Sequence, residues 1–361
     1  MFPAIGEGAN RSTRGACAPQ KQGVSFVCAV RFEKPMSVRL SDYDYELPQE
    51  LIAQRPLRRR EDSRMMMLHR AEQAIEHRQF RELKTFLRPG DLLVLNDTRV
   101  LPARRFSDDG AVEFLFLERL GPKRWKCLVK PGRKMRVGAT AKIDNVTLWV
   151  EKITSDGERV VALEKDVDLY AGGSMPLPPY ITRPSDEKDA ARYQTVFGHA
   201  AGAIAAPTAG LHFTPRILSE IPHTFVTLHV GPGTFLPVRS DNIAAHRMQA
   251  ERFSISPEAS NKINEARRII AVGTTTVRTL ESAIRAEGEI LAQEGATDLL
   301  IYPPYRFGAV DGLLTNFHLP RSTLLMLVSA FAGREFLLRA YREAICERYR
   351  FYSYGDCMLI L

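Results

Sequence analysis

GAIAAPTAGLHFTPRILSEIPHTFVTLHVGPGTFLPVR, residues 202–239, interleaves small residues, hydroxyls and histidines with apolar runs. Its first loop, residues 206–212, precedes Thr214 and Pro215, which predict the N-cap and the first turn of a short helix. Alternation and β-branching in residues 226–230 predict a strand, and a glycine-rich loop follows it. Because α/β proteins bind ligands in loops between strand ends and helix N-termini, the stretch predicts a binding site in an α/β fold. The alternative is that its glycines only form turns and its histidines are structural.

The same strand-and-loop pattern occurs elsewhere in the chain. Residues 91–95 form a continuous apolar run, typical of a buried strand, and a polar turn at 96–99 follows it. Residues 269–272 predict another buried strand, after which the Gly-Thr loop at 273–276 opens a helix. A further strand is predicted at 299–302. Strands that alternate with helices predict a larger, mainly parallel α/β domain.

The periodicity changes between residues 104 and 165. Short alternating or β-branched runs are separated there by Gly, Pro and Asp-Gly, with no helical pattern. This spacing predicts a small β-barrel domain at 104–165, inserted into an α/β catalytic domain formed by 36–103 and 166–361. Residues 1–35 lack hydrophobic periodicity and the features of a secretory signal, so we expect a disordered, dispensable extension ahead of Met36.

Composition limits the class of protein. The 361 residues are 45% hydrophobic and 25% charged, as in soluble globular proteins, and the longest apolar stretch, 324–331, is too short to span a membrane. Five cysteines, an odd number without a CxxC pair, favour reduced thiols in the cytoplasm, with no disulfide and no structural metal. Neither a Walker A motif nor a GxGxxG motif is present.

The formal net charge of +8 favours a polyanionic partner. Residues 119–142 carry nine of the basic side chains and no acidic one, within the predicted barrel. Basic groups pair with phosphates and an aromatic ring offers a stacking face, so this run predicts an RNA-contacting surface; a solvated basic face is the alternative. The residues predicted to contact tRNA are Arg124, Trp125, Lys130, Arg133 and Lys134.

The motifs of the chain, taken together, resemble those of the S-adenosylmethionine:tRNA ribosyltransferase-isomerase family of queuosine biosynthesis. Several separate blocks in the same order carry the resemblance, and this is more specific than any single loop motif. The blocks are DYDYELP (42–48), GDLLVLNDTRVLPAR (90–104), GAIAAPTAGLHFT (202–214), VTLHVGPGTFLPV (226–238), AVGTTTVRTLE (271–281), TNFHLPRSTLLMLVSAF (315–331) and YRFYSYGD (349–356).

The resemblance implies an enzyme that transfers and isomerises the ribosyl moiety of S-adenosylmethionine. The acceptor is 7-aminomethyl-7-deazaguanine at the wobble position of tRNA, and the products are epoxyqueuosine-tRNA, adenine and methionine. S-adenosylmethionine is then a consumed co-substrate, with no other cofactor and no metal, in a cytoplasmic monomer that does not contact a membrane. Two alternatives are an RNA methyltransferase, whose usual glycine-rich loop is missing, and a non-enzymatic basic tRNA-binding protein.

The matching blocks also carry the candidate site residues. Histidine is the natural acid or base near neutral pH, so His212, His229 and His318 are predicted to be catalytic, with Glu251 as an alternative base or sulfonium partner. A structural role is the alternative for each histidine, and the general base is not assigned uniquely. His229→Ala and His318→Ala are expected to fold but to lose turnover. The residues predicted to bind substrate are Asp97, Arg99, Thr208, Thr234, His246, Thr274, Asn316, Arg321, Tyr354 and Asp356.

Three positions depart from the family pattern. Residues 108–110, Asp-Asp-Gly, stand where a Thr-Gly-Gly is usual, so a loop contact is expected to be absent. Gln249 replaces a second histidine, which argues against an obligatory base at that position. Pro304 replaces a glycine and cannot adopt the positive φ that glycine allows. The sequence leaves open whether these changes alter catalytic efficiency.

Overall fold

The structure is a computed structural model that describes residues 39–235, 238 and 241–361, without the side chains of Thr234 and Phe235. The chain divides into two units, Met1–Met36 and Ser37–Leu361, and every element described below lies in the second. The prediction of a dispensable extension at residues 1–35 falls outside the described residues and stays a prediction.

Seventeen strands and six α-helices are found in the described part of the chain. The strands are β1 (Arg64–His69), β2 (Ala74–Gln79), β3 (Asp91–Asn96), β4 (Thr98–Val100), β5 (Arg104–Phe106), β6 (Glu113–Gly121), β7 (Arg124–Lys130), β8 (Thr140–Ile143), β9 (Val146–Ile153), β10 (Arg159–Leu163), β11 (Ala200–Ala203), β12 (His223–Leu228), β13 (Glu251–Ile255), β14 (Arg268–Val272), β15 (Gln293–Thr297), β16 (Gly312–Asn316) and β17 (Cys357–Ile360). The α-helices are α1 (Glu187–Arg192), α2 (Pro215–Ser219), α3 (Pro257–Glu265), α4 (Thr274–Ala283), α5 (Thr323–Ala332) and α6 (Arg334–Cys346). Short 3-10 helices span Leu40–Tyr43, Gln49–Leu51, Arg60–Asp62, Phe80–Phe86, Gly132–Lys134, Thr208–His212, Pro232–Phe235 and Ile243–Ala245.

Nine strands form one sheet in the order β15-β13-β12-β3-β14-β16-β17-β1-β2. The pairs β12–β3, β3–β14, β14–β16 and β17–β1 are parallel, and the other four are antiparallel. The prediction of a mainly parallel sheet is therefore corrected to a mixed sheet with a parallel centre. Hairpins such as β1–β2 and the returning strand β17 supply the antiparallel pairs, and strand direction cannot be read from the apolar runs that identify strands.

The central strands are buried on both faces, as continuous apolar runs predict. All six residues of β3 are buried. Because side chains alternate across a strand, Leu92 and Val94 enter one core and Leu93 and Leu95 enter the other. Helices α3 to α6 cover the first face, and α2 with the 3-10 helix Phe80–Phe86 covers the second.

Six strands form a second, antiparallel sheet in the order β5-β6-β7-β10-β9-β8. It is nearly closed and barrel-like, and it encloses its own core of alternate side chains such as Phe114, Trp125 and Leu148. The short alternating runs predict a small β-barrel at 104–165, and a barrel-like sheet is found there, with strands from Arg104 to Leu163. Strands β4 and β11 form a separate parallel pair.

Helix starts follow the capping residues of the sequence. The Thr214 hydroxyl accepts the Ile217 amide at 3.3 Å and caps α2, with Pro215 in the first turn. Ser256 and Ser322 cap α3 and α5 in the same way. The strand predicted at 299–302 is wrong, because that segment has no regular structure and its Leu299 carbonyl accepts a hydrogen bond from Arg278 instead.

No helix in the described part of the chain has the length and apolar character needed to cross a membrane. The cysteines that the structure describes, Cys127, Cys346 and Cys357, are all free thiols.

Candidate active site

A pocket of about 480 Å³ opens at the carboxyl ends of the central strands. Residues that follow β12, β14 and β16 line it, among them Val230, Gly273 and His318. Loops at these strand ends converge because neighbouring parallel strands end at the same edge of a sheet. Five of the predicted site residues line this pocket: Thr208, Thr274, Asn316, His318 and Arg321.

His318 is the one imidazole among the described residues that line the pocket, and none of these lining residues is a carboxylate. The Nε2 atom of its buried ring lies 2.8 Å from the Thr315 hydroxyl. Its Nδ1 atom has no hydrogen-bond partner among the described residues. Burial lowers the pKa of His318 to about 3, so the ring is neutral near pH 7. A neutral ring carries one N–H, so it can accept a proton or share a hydrogen bond, but it cannot act as an imidazolium acid.

The N-terminus of α4 forms another wall. Gly273, with φ of +90° and ψ of 153°, turns the chain from β14 into the helix, and the pocket is lined by Gly273, Thr274 and Thr275. No side chain caps this helix. Unsatisfied amides and the helix dipole favour an anion at such a terminus.

Aromatic side chains also line the pocket. The rings of Tyr180 and Tyr352 lie 4.7 Å apart, and the Tyr180 hydroxyl is 2.6 Å from the Ser353 hydroxyl. Burial raises the pKa of Tyr180 to about 12, so its hydroxyl stays protonated. The sequence analysis did not predict these three residues. Tyr180 lies in no matching block, and in the block at 349–356 it predicted Tyr354 and Asp356 instead.

Arg321 lies at the mouth of the pocket with a φ of +56°. Its guanidinium binds the Asp44 carboxylate, with Nε at 2.8 Å, and its amide donates to the Tyr43 carbonyl at 2.9 Å. This half-exposed ion pair connects the start of the described chain to the loop before α5.

His212 does not face the pocket. Its Nδ1 atom is 2.7 Å from the Ser63 hydroxyl, and its Nε2 atom is 3.1 Å from Asn316 Oδ1. Burial lowers the pKa of His212 to about 4, although the bond to Asn316 opposes this. Because the amide oxygen accepts, Nε2 carries the proton, and the Asn316 Nδ2 atom donates to the Tyr352 carbonyl at 2.9 Å. The geometry makes His212 a residue that orients Asn316, which does line the pocket.

Glu251 is buried and paired. Its carboxylate forms an ion pair with Arg278 and accepts the Gly231 amide at 2.8 Å. Arg278 also donates to the carbonyls of Leu299 and Thr297. Glu251 therefore holds the loop after β12 and does not line the pocket, which removes it from the residues placed to contact a ligand there.

His229, directly after β12, does not line the pocket. Its Nδ1 atom is 2.8 Å from the Thr98 hydroxyl, and its ring packs against Gly202, where a Cβ atom would lie 2.7 Å from the imidazole. Burial, followed by the charge of Arg252, lowers the pKa of His229. The structure brings it near Asp97, whose electrostatic effect opposes that shift.

Asp97 and Arg99 lie in the same region, outside the pocket. Asp97 accepts the Thr227 hydroxyl at 2.6 Å and lies 3.5 Å from Nε2 of the exposed His199. Burial raises the pKa of Asp97, and the bond from Thr227 opposes the effect. Arg99 is exposed on β4. The turn after β3 thus belongs to a second polar cluster, formed by Asp97, Thr227 and His199 outside the pocket.

Two acidic or aromatic candidates near the C-terminus have structural partners. The Tyr354 hydroxyl donates to Asp189 at 2.7 Å, and Asp189 also binds Arg183 through both oxygens. Asp356 accepts the amides of Arg64 and Arg350 at 2.9 and 2.8 Å, and burial raises its pKa. Neither residue lines the main pocket.

Two predicted substrate-binding residues remain. His246 follows the 3-10 helix Ile243–Ala245 outside the pocket lining, and burial lowers its pKa. Thr234 belongs to the 3-10 helix Pro232–Phe235, but its side chain lies outside the described residues.

Trp125 corrects one prediction for the barrel-like sheet. It is 1% exposed and packs edge-on against Tyr170, with ring centroids 4.9 Å apart, so it cannot stack on a nucleotide base. The residue points inward because side chains of β7 alternate between core and surface. Trp149 on β9, 38% exposed, is a tryptophan of this sheet that does reach the surface.

The basic side chains predicted to contact tRNA are exposed. Lys130, Arg133 and Lys134 have no ion pair among the described residues, and Lys134 reaches only the Ala111 carbonyl, at 3.4 Å. Arg124 differs, because Glu151 neutralises it at 2.7 Å. A cleft of about 440 Å³ beside Lys134 is lined by residues 107–109 and by Lys142.

No group of three or more His, Cys, Asp or Glu side chains suited to a metal ion occurs within the described ranges. The fold and the site define a class: an α/β protein with a mixed central sheet, a pocket at the ends of its parallel strands, and a separate barrel-like sheet with exposed basic side chains. The sequence profile of the queuosine biosynthesis protein family matches residues 40–360. The chain belongs to this family.

The sequences of its relatives align with nearly the whole of this chain. The S-adenosylmethionine:tRNA ribosyltransferase-isomerase of Symbiobacterium thermophilum is 51% identical over 343 residues, covering 90% of this chain and 100% of the relative. The enzyme of that name from Thermotoga maritima is 48% identical over 339 residues, covering 90% and 100%. A crystal structure of S-adenosylmethionine tRNA ribosyltransferase from Thermotoga maritima aligns with a TM-score of 0.50 and 41% identity, covering 89% of this chain and 100% of that one.

Proposed function

We propose that this protein is an S-adenosylmethionine:tRNA ribosyltransferase-isomerase. It transfers and isomerises the ribosyl moiety of S-adenosylmethionine onto 7-aminomethyl-7-deazaguanine at the tRNA wobble position, and it releases adenine and methionine. The single observation that carries the proposal is the agreement with relatives of this name at 48–51% identity along their full length.

Several groups that line the pocket complement parts of S-adenosylmethionine. The uncapped N-terminus of α4 favours the methionine carboxylate. The tyrosine rings of Tyr180 and Tyr352 offer faces for the sulfonium, which is attracted to aromatic quadrupoles, and no carboxylate among the described lining residues competes for it. Apolar lining from residues such as Phe317 and Leu319 suits the adenosyl group.

His318 is the residue we propose for proton transfer. A carbon next to a sulfonium has acidified protons, so the reaction needs a positioned base, and adenine leaves more readily when its ring receives a hydrogen bond. The neutral imidazole supplies a base when Nε2–H donates to Thr315 and Nδ1 faces the ligand. Asn316, fixed by His212, would hold a substrate polar group beside it.

The exposed basic side chains of the barrel-like sheet are proposed to bind the tRNA backbone. Lys130, Arg133 and Lys134 are free of ion pairs in the part of the chain that the structure describes, so neutralising phosphates would cost no existing pair. Charge reversal at these three positions should weaken tRNA binding and flatten its salt dependence. Unchanged affinity at low and high salt would remove this surface from the proposal.

The remaining features of the proposal follow from the reaction. S-adenosylmethionine is consumed, so no other cofactor and no metal is required, and catalysis takes place where tRNA and S-adenosylmethionine occur together, in the cytoplasm. We propose that the chain acts as a monomer. Its domains are those predicted from the sequence, a barrel at 104–165 inserted into a catalytic domain formed by 36–103 and 166–361.

The decisive experiment incubates the purified protein with S-adenosylmethionine and tRNA that carries 7-aminomethyl-7-deazaguanine. Mass spectrometry then identifies the small products and the digested nucleosides. Adenine and methionine with epoxyqueuosine are expected. S-adenosylhomocysteine would indicate a methyltransferase, and bound but unchanged tRNA would indicate a binding protein; either result would overturn the proposal.

His318→Gln tests the proposed base in the same assay. Loss of a general base reduces kcat by about 10²–10⁴-fold, whereas binding of S-adenosylmethionine should change little. His223→Gln is the matched control, because His223 lies on β12 with its ring bonded to the Ile221 carbonyl. Normal turnover in His318→Gln would exclude this residue as the base.

A further inference from the structure

A group of arginine side chains lies beside the main pocket. Four of them lie in residues 55–60, after the 3-10 helix Gln49–Leu51, and the other two come from the end of α1 and from the chain before β17. We call this group the arginine cluster; its members are Arg55, Arg58, Arg59, Arg60, Arg192 and Arg350.

The cluster is held together by backbone carbonyls. Arg192 donates to the carbonyls of Arg58 and Leu57 at 3.0 and 2.8 Å. Arg60 donates to the Leu211 carbonyl at 3.0 Å, and Arg350 donates to a carbonyl of the same segment. Carbonyl oxygens orient guanidinium groups but do not cancel their charge.

Few carboxylates balance these charges. Among the described residues, only Glu61 and Asp186 come within ion-pair distance of the cluster, at 4.0 Å from Arg59 and 2.6 Å from Arg55. Each of the two also lies within ion-pair distance of an arginine outside the cluster. Burial, and then the charge of Arg192, lower the pKa of Arg60 to about 10. Asp356, whose carboxylate accepts the Arg350 amide, also acts on the Arg350 charge. Three carboxylates of the described chain thus face six arginines, so the cluster keeps an excess of positive charge.

Donor groups of the cluster are unused. The buried Arg192 Nε and Arg350 Nη1 atoms have no hydrogen-bond partner in the described part of the chain. Buried polar atoms are normally paired, so unpaired ones indicate a missing acceptor. An anion with several oxygens would satisfy both the charges and the donors.

Three members of the cluster, Arg59, Arg60 and Arg192, line one side of a cleft of about 20 Å³. A space of this size holds an oxygen of an anion but not a nucleoside. The cleft shares Ser353 with the main pocket, and His212 on its wall binds Asn316 in that pocket. An anion bound here would lie next to the reacting groups.

We infer that the arginine cluster binds a backbone phosphate of the RNA whose modified base enters the main pocket. This inference rests on the proposed function. Arginine suits the role because its planar fork binds two phosphate oxygens at once. The exposed Arg58 and Arg59, the latter with 68% of its side chain exposed, lie where a macromolecular chain can reach them. The donor carboxylate is the other source of the same chemistry, and the experiment separates the two.

The test uses the full chain with the double substitution Arg58→Gln and Arg59→Gln. The matched control is Arg285→Gln with Arg306→Gln, which removes the same charge from exposed arginines near the far end of α4, about 15 Å along the helix from the pocket. Thermal unfolding of both variants checks that the fold is kept. Affinity for tRNA carrying 7-aminomethyl-7-deazaguanine is measured over a salt series without S-adenosylmethionine.

The cluster variant is expected to bind tRNA at least about tenfold more weakly at low salt, and its log–log salt slope should fall by about 0.7–0.9 for each phosphate that is no longer neutralised. The control should keep the wild-type slope. An unchanged slope in the cluster variant would overturn the inference, as would a raised KM for S-adenosylmethionine with normal tRNA affinity, which would assign the cluster to the donor. If tRNA binding depends on the cluster but no epoxyqueuosine forms, the inference stands and the proposed enzyme activity fails.

Discussion

Burial decides the chemistry that each histidine can perform. The His212 ring binds protein groups through both nitrogens, while the His318 ring is bonded only through Nε2 among the described residues and lines the pocket. Both rings are neutral near pH 7, because burial lowers their pKa values to about 4 and about 3. In the proposed mechanism His212 therefore orients Asn316, and His318 is the histidine placed to contact the ligand.

The low pKa of His212 predicts a pH-dependent stability. Between pH 6.5 and about 4 the unfolded chain binds a proton at this ring and the folded chain does not, so the free energy of unfolding should fall as the pH drops through this range. The loss attributable to one such ring is up to about 3 kcal/mol, since one pH unit corresponds to about 1.36 kcal/mol. His212→Gln should reduce this slope but not abolish it, because His318 contributes in the same direction. Urea unfolding at pH 7 and pH 4.5 measures the change in the free energy of unfolding with pH. If this change were the same in His212→Gln and in the unaltered protein, the low pKa of His212 would be contradicted.

Glu251 illustrates the second residue-scale effect, the cost of an unpaired buried charge. Glu251→Gln leaves Arg278, 4% exposed, without its carboxylate, and should lower the free energy of unfolding by about 3–5 kcal/mol. Asp44→Asn removes the carboxylate of the half-exposed pair with Arg321 and should cost less than about 1 kcal/mol. Chemical denaturation measures the free energy of unfolding of both variants. If the two variants lost equal amounts, the pair of Glu251 and Arg278 would behave as an exposed pair.

At the scale of elements, the N-terminus of α4 shapes one wall of the pocket. Strand β14 and helix α4 are joined by a single residue, Gly273, so the helix N-terminus comes directly to the strand end. The backbone there occupies a region of φ and ψ that is almost exclusive to glycine. The one-residue connection therefore brings the first turn of α4 to the pocket.

Gly273→Ala tests this connection. A Cβ atom would meet its nearest neighbour, Ala209 Cβ, at 3.7 Å, so space is available and backbone strain alone should cost about 1–3 kcal/mol. Strain should also turn the helix start and raise the KM for S-adenosylmethionine. Gly231→Ala is the control, because its Cβ atom has ordinary contacts and its φ is not in the left-handed region. If both variants were equally stable, the conformation at Gly273 would not be a constraint.

At the scale of the whole molecule, the barrel-like sheet and the nine-stranded sheet have separate cores. The aromatic core of the barrel-like sheet, with Phe114, Phe116 and Trp125, does not merge with the cores on either face of the larger sheet. Separate cores allow each sheet to lose stability on its own, because local unfolding follows contiguous packed units.

Trp125→Ala is predicted to loosen the barrel-like sheet selectively. Removal of a buried tryptophan costs about 3–5 kcal/mol. Hydrogen exchange should therefore accelerate in β6, β7 and β10 while β3 and β14 keep their protection. Trp149→Ala, at an exposed position of the same sheet, should leave exchange unchanged. Loss of protection throughout the chain would mean that the two sheets unfold as one unit.

The sequence by itself determined the local features of this protein. Capping residues set the starts of α2, α3 and α5, and continuous apolar runs identified the buried strands β3 and β14. The ordered blocks from 42–48 to 349–356, taken together, identified the family. These features were readable because they depend on neighbours a few residues apart.

Only the tertiary structure decided which partners meet. Apolar periodicity does not give strand direction, so the mixed order of the large sheet could not be predicted, and alternation did not reveal that Trp125 faces inward. His212 is separated by 149 residues from Ser63 and by 104 from Asn316, and the arginine cluster joins segments near 55–60, 192 and 350. Such contacts depend on how the whole chain packs, and the resulting burial, rather than the residue type, sets which histidine is free to act.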